Sequence, residues 1–182
     1  MRYLIFCLLA APAWSPAWAE ACPPNKDIQA VESDLYARIQ SLPTAMGVRP
    51  LNQELWALWT AAPDAEAQAL LDEGLTAIRL GDFGYAAQQL DALISYCPDY
   101  AEGYNQRAFV HYLQFEFDPA LELLNSAEAR SPRHTGVLTG KALTLIGMGR
   151  EDEAQEPLRK AVALNPWLSE RALLVEPPGQ DL

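Results

Sequence analysis

The side chains that carry most catalytic and metal chemistry are scarce in this sequence. Its 182 residues include two histidines and three cysteines. They form neither a Cys-x-x-Cys nor a His-x-x-x-His pair, and no glycine-rich loop follows a strand pattern to hold a phosphate. We therefore predict no catalytic residue, no metal site and no cofactor, and the chain is not expected to be an enzyme. An enzyme with an unrecognised site, using His111 or His134, is the less favoured alternative.

Positive charge is also scarce. Lys and Arg number 13 against 24 Asp and Glu, which gives a formal net charge of −11. A protein of this charge repels phosphate backbones and anionic lipid, so we predict neither nucleic-acid binding nor direct membrane binding. Half of the residues are apolar and many of these are alanine, a composition that suits closely packed helices.

Long apolar runs are absent apart from residues 3–11, which are too few to span a bilayer as a permanent helix. Arg2 precedes this run, and Ala17 and Ala19 place small residues at the positions that a signal peptidase reads. We predict a signal peptide over residues 1–19, cleaved after Ala19, and a periplasmic or secreted protein. Cleavage after Ala21 and a retained N-terminal anchor are the alternatives.

Removal of this leader would leave two cysteines, Cys22 and Cys97. An even number of cysteines in an oxidising compartment predicts one disulfide, although pairing cannot be read from sequence alone. Two unpaired thiols are the alternative.

What the chain does contain is a pattern that recurs every 34 residues, in units at 67–100, 101–134 and 135–168. The eighth and twentieth positions of each unit are small, as two helices that cross closely require. A proline near the end of each unit predicts the end of its second helix. These residues are Gly74, Ala108 and Ala142, then Ala86, Ala120 and Ala154, then Pro98, Pro132 and Pro166.

The segments on either side of the repeats are predicted to be caps. Residues 20–64 read as a capping helix pair, in which Val31 shares an apolar face with its neighbours and Trp56 and Trp59 lie on the second helix. The two tryptophans are expected to pack, with an aromatic ligand platform as the alternative. Residues 169–182 are predicted to form a short cap helix and a tail, with Trp167 sealing the last pair.

The spacing of large and small residues resembles the tetratricopeptide repeat family, most clearly at Tyr104, Ala108, Ala120, Leu124 and Pro132. The resemblance covers about 100 residues and suggests an exported bacterial member. It implies an all-α fold, a right-handed solenoid of helical pairs with three regular repeats. One departure is Phe115, which stands where the family has its turn glycine.

The resemblance also implies a concave face lined by set positions of each first helix. The groove candidates are Leu71, Leu75, Ile78, Asn105, Phe109, Tyr112, Thr139, Leu143 and Ile146. A subset of the family grips a peptide carboxylate here with polar side chains. Leu71 and Leu75 replace two of those groups, so we do not expect a reader of chaperone tails.

An apolar groove of this kind suits an amphipathic helix or an apolar peptide. We therefore expect an exported, non-catalytic protein-interaction scaffold that binds a partner protein of unknown identity. The main alternative is a self-associating structural protein, a homodimer in which the groove closes on a second copy. The groove could also be covered by the chain's own helix over residues 27–42.

Overall fold

Helices account for nearly all regular structure in the computed structural model, which describes residues 21–175. Within that range there are eight α-helices and no β-strand. The predicted signal peptide (1–19) and residues 176–182 of the predicted tail lie outside the described residues. The helices are α1 Gln29–Gln40, α2 Val48–Trp59, α3 Ala65–Leu80, α4 Phe83–Tyr96, α5 Ala101–Leu113, α6 Phe117–Arg130, α7 Thr135–Gly147 and α8 Glu151–Leu164.

The last six helices form three antiparallel pairs, α3 with α4, α5 with α6 and α7 with α8. Each pair packs on the next in chain order, through α4 on α5 and α6 on α7. The predicted all-α solenoid of helical pairs is therefore confirmed. Pro98, Pro132 and Pro166 each follow the end of a second helix by two residues, because proline has no N–H to continue the ladder.

Small residues lie where the helices of each pair cross. A Cβ atom on Gly74 would lie only 2.9 Å from Cγ of Leu90, across the first pair. The alanines at the corresponding positions have no exposed surface, so a larger side chain would force the helices apart. They are Ala86, Ala108, Ala120, Ala142 and Ala154.

A disulfide joins Cys22 to Cys97, with a Cα–Cα distance of 5.2 Å, and the predicted pairing is thus present in the structure. Cys97 immediately follows α4, so the bond attaches the start of the described chain to the first repeat. The bond spans 75 residues of sequence. For a loop of this length the chain-entropy model allows a stabilisation of about 4 kcal/mol.

Helices α1 and α2, which we call the N-terminal hairpin, do not extend the stack beyond α3 as a cap would. Their buried core, which contains Leu35, Ile39 and Leu55, packs instead against Leu164 and Trp167 at the far end of the repeats. The hairpin lies along the loops that join one repeat to the next. Its buried face also differs from the prediction, since Val31 is 54% exposed and Glu32 and Tyr36 are buried in its place.

The C-terminal cap is also different from the prediction. Residues Ser169–Leu173 form a 3-10 segment instead of an α-helix. Leu174, and not Trp167, packs on the core of the α7–α8 pair, while Trp167 donates its Nε1–H to the carbonyl oxygen of Ile39 at 3.2 Å. The indole therefore belongs to the contact between the N-terminal hairpin and the repeats.

The turn inside each helical pair has one residue in the left-handed region of the backbone. In the first and third pairs this residue is glycine, with φ of 77° at Gly81 and 71° at Gly149. In the second pair it is Phe115, with φ of 61°. A side chain in this conformation costs about 1–2 kcal/mol, and the Phe115 ring, which is 80% exposed, buries little surface to offset that cost.

Replacing Phe115 with glycine is therefore expected to stabilise the fold. Phe115→Gly should raise the free energy of unfolding by about 1 kcal/mol, measured by urea denaturation with an unchanged m-value. Phe115→Ala is the matched control, because it removes the ring and keeps the backbone strain, and it should bring no gain. Equal stability of the two variants would show that the left-handed turn is not strained.

Candidate functional site

A cavity of about 270 Å³ lies between α5 and α7, and α2 of the N-terminal hairpin closes one side of it. We call this cavity the groove. Aromatic and aliphatic side chains form most of its walls, and none of its lining residues is charged. The lining consists of Trp56, Asn105, Gln106, Ala108, Phe109, Tyr112, Leu124, Gly136, Thr139, Gly140, Leu143 and Thr144.

Two glycines of the lining lie against neighbouring side chains, with little room for a Cβ atom. A Cβ atom on Gly140 would lie 3.2 Å from Cδ2 of Leu124, and one on Gly136 would lie 3.0 Å from the ring of His134. Four polar side chains of the lining already have partners inside the protein, those of Asn105, Gln106, Thr139 and Thr144. Asn105 Nδ2 donates to Glu102 Oε2 at 3.1 Å, and Thr139 Oγ1 donates to the carbonyl oxygen of Gly136 at 3.2 Å. The surface left for a ligand is therefore mainly apolar.

Five of the nine predicted groove residues line this cavity, and four do not. The five are Asn105, Phe109, Tyr112, Thr139 and Leu143. Leu71 has no exposed surface, because it packs in the core of the first repeat. Leu75 and Ile78 pack partly buried against that same core, and Ile146 packs against the core of the α7–α8 pair. Of the residues predicted in the first repeat, Leu71 is thus a core residue and Leu75 and Ile78 lie outside this cavity, whereas Trp56 lines it.

The two tryptophans of α2 have different environments. Trp56 is 46% exposed and faces the groove. Trp59 is buried and stacks on the ring of His134, with the ring centroids 3.7 Å apart and the planes 23° from parallel. Its Nε1–H donates to Oε1 of the buried Glu32 at 3.1 Å. Trp59 is therefore a packing residue, whereas Trp56 lines the candidate site.

His134 is the central side chain of this contact. It is the residue before α7, and its Nδ1 accepts the backbone N–H of Val137 at 3.2 Å, which caps the helix. Since that nitrogen is an acceptor, Nε2 carries the proton and donates to Glu102 Oε2 at 3.0 Å. Histidine and glutamate are both buried. Both ring nitrogens are occupied by structural bonds, so the pair is not arranged for proton transfer to a ligand.

Further polar contacts hold the N-terminal hairpin against the repeat loops. The hydroxyl of Tyr36 donates to the carbonyl oxygen of Arg133 at 2.6 Å, and burial raises the pKa of Tyr36 to about 12. The hydroxyl of Tyr100 donates to the carbonyl oxygen of Trp59 at 2.8 Å, and burial and the nearby charge of Glu102 raise its pKa. Both phenols stay protonated at neutral pH and keep donating. The position of Trp56 in the groove is therefore fixed by buried bonds.

Sequence reasoning missed the roles of Glu32, Glu102 and His134. Glutamate on an otherwise apolar helix face and histidine before a helix are weak signals, because neither is a usual core or capping residue. The other histidine, His111, lies at the surface with Nδ1 2.6 Å from Glu116 Oε2.

A second cavity, of about 450 Å³, lies between residues 25–29 and the loops at Tyr100 and His134.

Within residues 21–175, every buried side-chain nitrogen or oxygen has a hydrogen-bond partner. In the same range, no group of three or more His, Cys, Asp or Glu side chains is placed to hold a metal ion. Every helix there is too short or too polar to span a bilayer.

Comparison with known proteins relates the chain to tetratricopeptide repeat proteins. Tetratricopeptide repeat protein 36 of Mus musculus is 31% identical over 118 residues, which cover 62% of this chain and 62% of that protein. The Xenopus tropicalis protein of the same name is 29% identical over 138 residues, 73% of this chain and 68% of its own length. The chain thus matches a little under two thirds of the mouse relative. No family model matches the chain.

Solved structures show the same fold. The first TPR of Spaghetti (RPAP3), bound to the HSP90 peptide SRMEEVD, has a TM-score of 0.57 and 18% identity, and covers 59% of this chain and 85% of its own. The structure of MamA has a TM-score of 0.53 and 20% identity, and covers 77% of this chain and 74% of its own. The described residues are therefore a tetratricopeptide-like solenoid. The curated relatives are animal proteins, so they do not bear on the expectation of an exported bacterial type.

Removal of the Trp59 ring is expected to release the N-terminal hairpin. Trp59→Leu deletes the stack on His134 and the hydrogen bond to Glu32, which keeps only the guanidinium of Arg133 at 3.8 Å. The cost is about 2–4 kcal/mol and falls on the hairpin. Hydrogen exchange should lose protection in α1 and α2 and keep it in α5 to α8. Trp56→Leu, on the same helix, is the control and should leave exchange unchanged. Unaltered protection of α1 in Trp59→Leu would contradict this role of the stack.

Proposed function

We propose that this protein is an exported, non-catalytic scaffold that binds an apolar segment of a partner protein in the groove. The observation that carries the proposal is an uncharged cavity with exposed aromatic walls. Phe109 is 43% exposed and Trp56 is 46% exposed, and both lie at its mouth. Covering such rings with an apolar side chain from a partner removes apolar surface from water, at roughly 25 cal/mol per Å².

The comparison with the RPAP3 domain supports a protein or peptide as the partner, since that domain is bound to an HSP90 peptide. No Lys or Arg is among the lining residues of the groove, so it offers no cation to a peptide carboxylate. We therefore propose that recognition is through an inserted apolar side chain and not through a chain terminus.

Self-association is the second candidate, favoured by the same exposed rings. A second copy that covered Phe109 and Trp56 would satisfy the groove without another protein. Light scattering of the purified protein distinguishes partner binding from self-association. A stable dimer that dissociates in Phe109→Ala would favour a self-associating structural protein.

Photo-crosslinking from inside the groove tests the proposal. Benzoylphenylalanine placed at Phe109 should yield a covalent adduct with a discrete partner in intact cells. The same group at Tyr85, an exposed aromatic position on α4, is the matched control. Adding Tyr112→Ala should reduce the Phe109 adduct by roughly tenfold, because it removes a groove wall and leaves the crosslinker in place. Equal adducts from both positions would contradict the groove as the binding site.

Export is proposed on two supports, the leader pattern over residues 1–19 and the disulfide between Cys22 and Cys97. N-terminal sequencing of the protein recovered from the cell envelope or medium should begin at Glu20. Recovery of the full chain in the cytoplasm, starting at Met1 and with both thiols free to alkylation, would contradict the proposal.

A further inference from the structure

The apolar surface of the groove continues beyond it along a row of aromatic rings. The centroid of the Tyr112 ring, a wall of the groove, is 5.8 Å from that of Phe117, which in turn is 6.2 Å from that of Phe115. We call Tyr112, Phe117 and Phe115 the aromatic strip. It leads from the groove to the turn between α5 and α6, where the ring of Phe115 is 80% exposed.

The conformation of Phe115 is evidence that the exposed end of the strip has a use. Glycine occupies the corresponding turn positions, Gly81 and Gly149, and meets the left-handed backbone without strain. Phenylalanine at this position neither relieves that strain nor gains much burial. Strained residues of this kind cluster at active sites, ligand clamps and switch regions.

The surface around the exposed end of the strip is acidic. The α5–α6 turn lies beside the α7–α8 turn, since a Cβ atom on Gly147 would lie 2.7 Å from the Phe117 ring. Five carboxylates lie in these two turns and the helix starts that follow them, and we call them the acidic edge. They are Glu116, Asp118, Glu151, Asp152 and Glu153.

Few cations oppose the acidic edge. The guanidinium of Arg150 is bound to Glu153 at 2.6 Å, and its charge also lies near Asp118. Glu151 and Asp152 are exposed on the first turn of α8 and have no ion pair among the described residues. The uncharged groove, the aromatic strip and the acidic edge therefore form one surface, apolar in the middle and negative at one side.

We propose that the partner segment bound by this surface is a basic amphipathic helix, a proposal that rests on the groove being the binding site. One large apolar side chain enters the groove, and a second, about two helical turns of 5.4 Å further along, covers Phe115. Lys and Arg side chains beside the second anchor face Glu151, Asp152 and Asp118. The Phe115 ring, which is exposed in the free protein, is thus buried when the helix binds.

Two labelled model peptides test the proposal by fluorescence anisotropy. Both carry leucine on one face of a helix of about 18 residues, and their polar face is either all lysine or all glutamate. The lysine peptide should bind at least about tenfold more tightly, by an amount that falls with added salt. Equal binding of the two peptides would overturn the proposal and leave the groove in place.

Three variants identify the surface used. Phe115→Gly should weaken binding of the lysine peptide by roughly fivefold. Because this substitution raises thermal stability, the loss of affinity cannot come from misfolding. The double variant Glu151→Lys, Asp152→Lys should weaken it by about tenfold, whereas the control double variant Glu66→Lys, Glu122→Lys, with the same net charge, should not. Unchanged binding in Phe115→Gly, or equal losses in the two double variants, would overturn the proposal.

Phe109→Ala distinguishes failure of this proposal from failure of the groove itself. If the unaltered protein binds the two peptides equally and Phe109→Ala binds neither, the groove remains the binding site and only the basic partner is rejected. Unchanged binding of the lysine peptide in Phe109→Ala rejects the groove, and the present proposal with it.

Discussion

The stack of Trp59 on His134 is the contact on which the candidate site depends. It joins the N-terminal hairpin to the repeat loops, and a chain of buried bonds from Glu32 to Glu102 holds both rings in place. Because Trp56 lies on the same helix as Trp59, this contact also sets one wall of the groove. Without it, α5 and α7 would present an open concave face instead of a cavity.

The repeats themselves depend on a simpler constraint. Glycine or alanine at each helix crossing lets the paired helices approach, and the pairs then stack in chain order. The groove lies between α5 and α7 of two successive pairs, and Trp56 of the hairpin closes one side of it. Close packing between neighbouring helices forms the scaffold. The long-range stack of Trp59 on His134 then places the hairpin so that the surface of the scaffold becomes the groove. The disulfide at Cys22 adds a covalent link between the arm that leads into the hairpin and the first repeat.

The sequence was sufficient to predict the parts of the fold that repeat. A period of 34 residues predicted the three helical pairs, and the helix crossings lie where the small residues predicted them. The position of the hairpin could not be predicted, because the hairpin follows no repeat pattern and its partners are distant in sequence. Arg133 lies 97 residues from Tyr36, and Asn165 lies 113 residues from Asn52. The contacts with the repeats use polar atoms, such as the Tyr36 hydroxyl on the carbonyl oxygen of Arg133. Apolar spacing had favoured Val31 on the buried face of this helix, and Val31 is exposed.

The groove shows the same limit. Leu71 and Asn105 occupy one repeat position, yet Leu71 is fully buried and Asn105 is partly exposed and lines the cavity. A repeat pattern predicts the same exposure for equivalent residues, but the neighbouring side chains of each residue determine whether it faces solvent. Phe115 was recognised as a departure from the turn glycine, and only its backbone angle reveals the strain that accompanies it.

The position of the N-terminal hairpin is the central claim, and distances between paired spin labels measure it most directly. A label at Gln53 on α2 can be paired with one at Ala163 on α8 or with one at Ala92 on α4, all three being exposed positions. The Gln53–Ala163 distance should be narrowly distributed and the shorter of the two, because Asn165 donates to Asn52 at 3.0 Å. A shorter Gln53–Ala92 distance, as in a hairpin that caps the stack before α3, would contradict this claim.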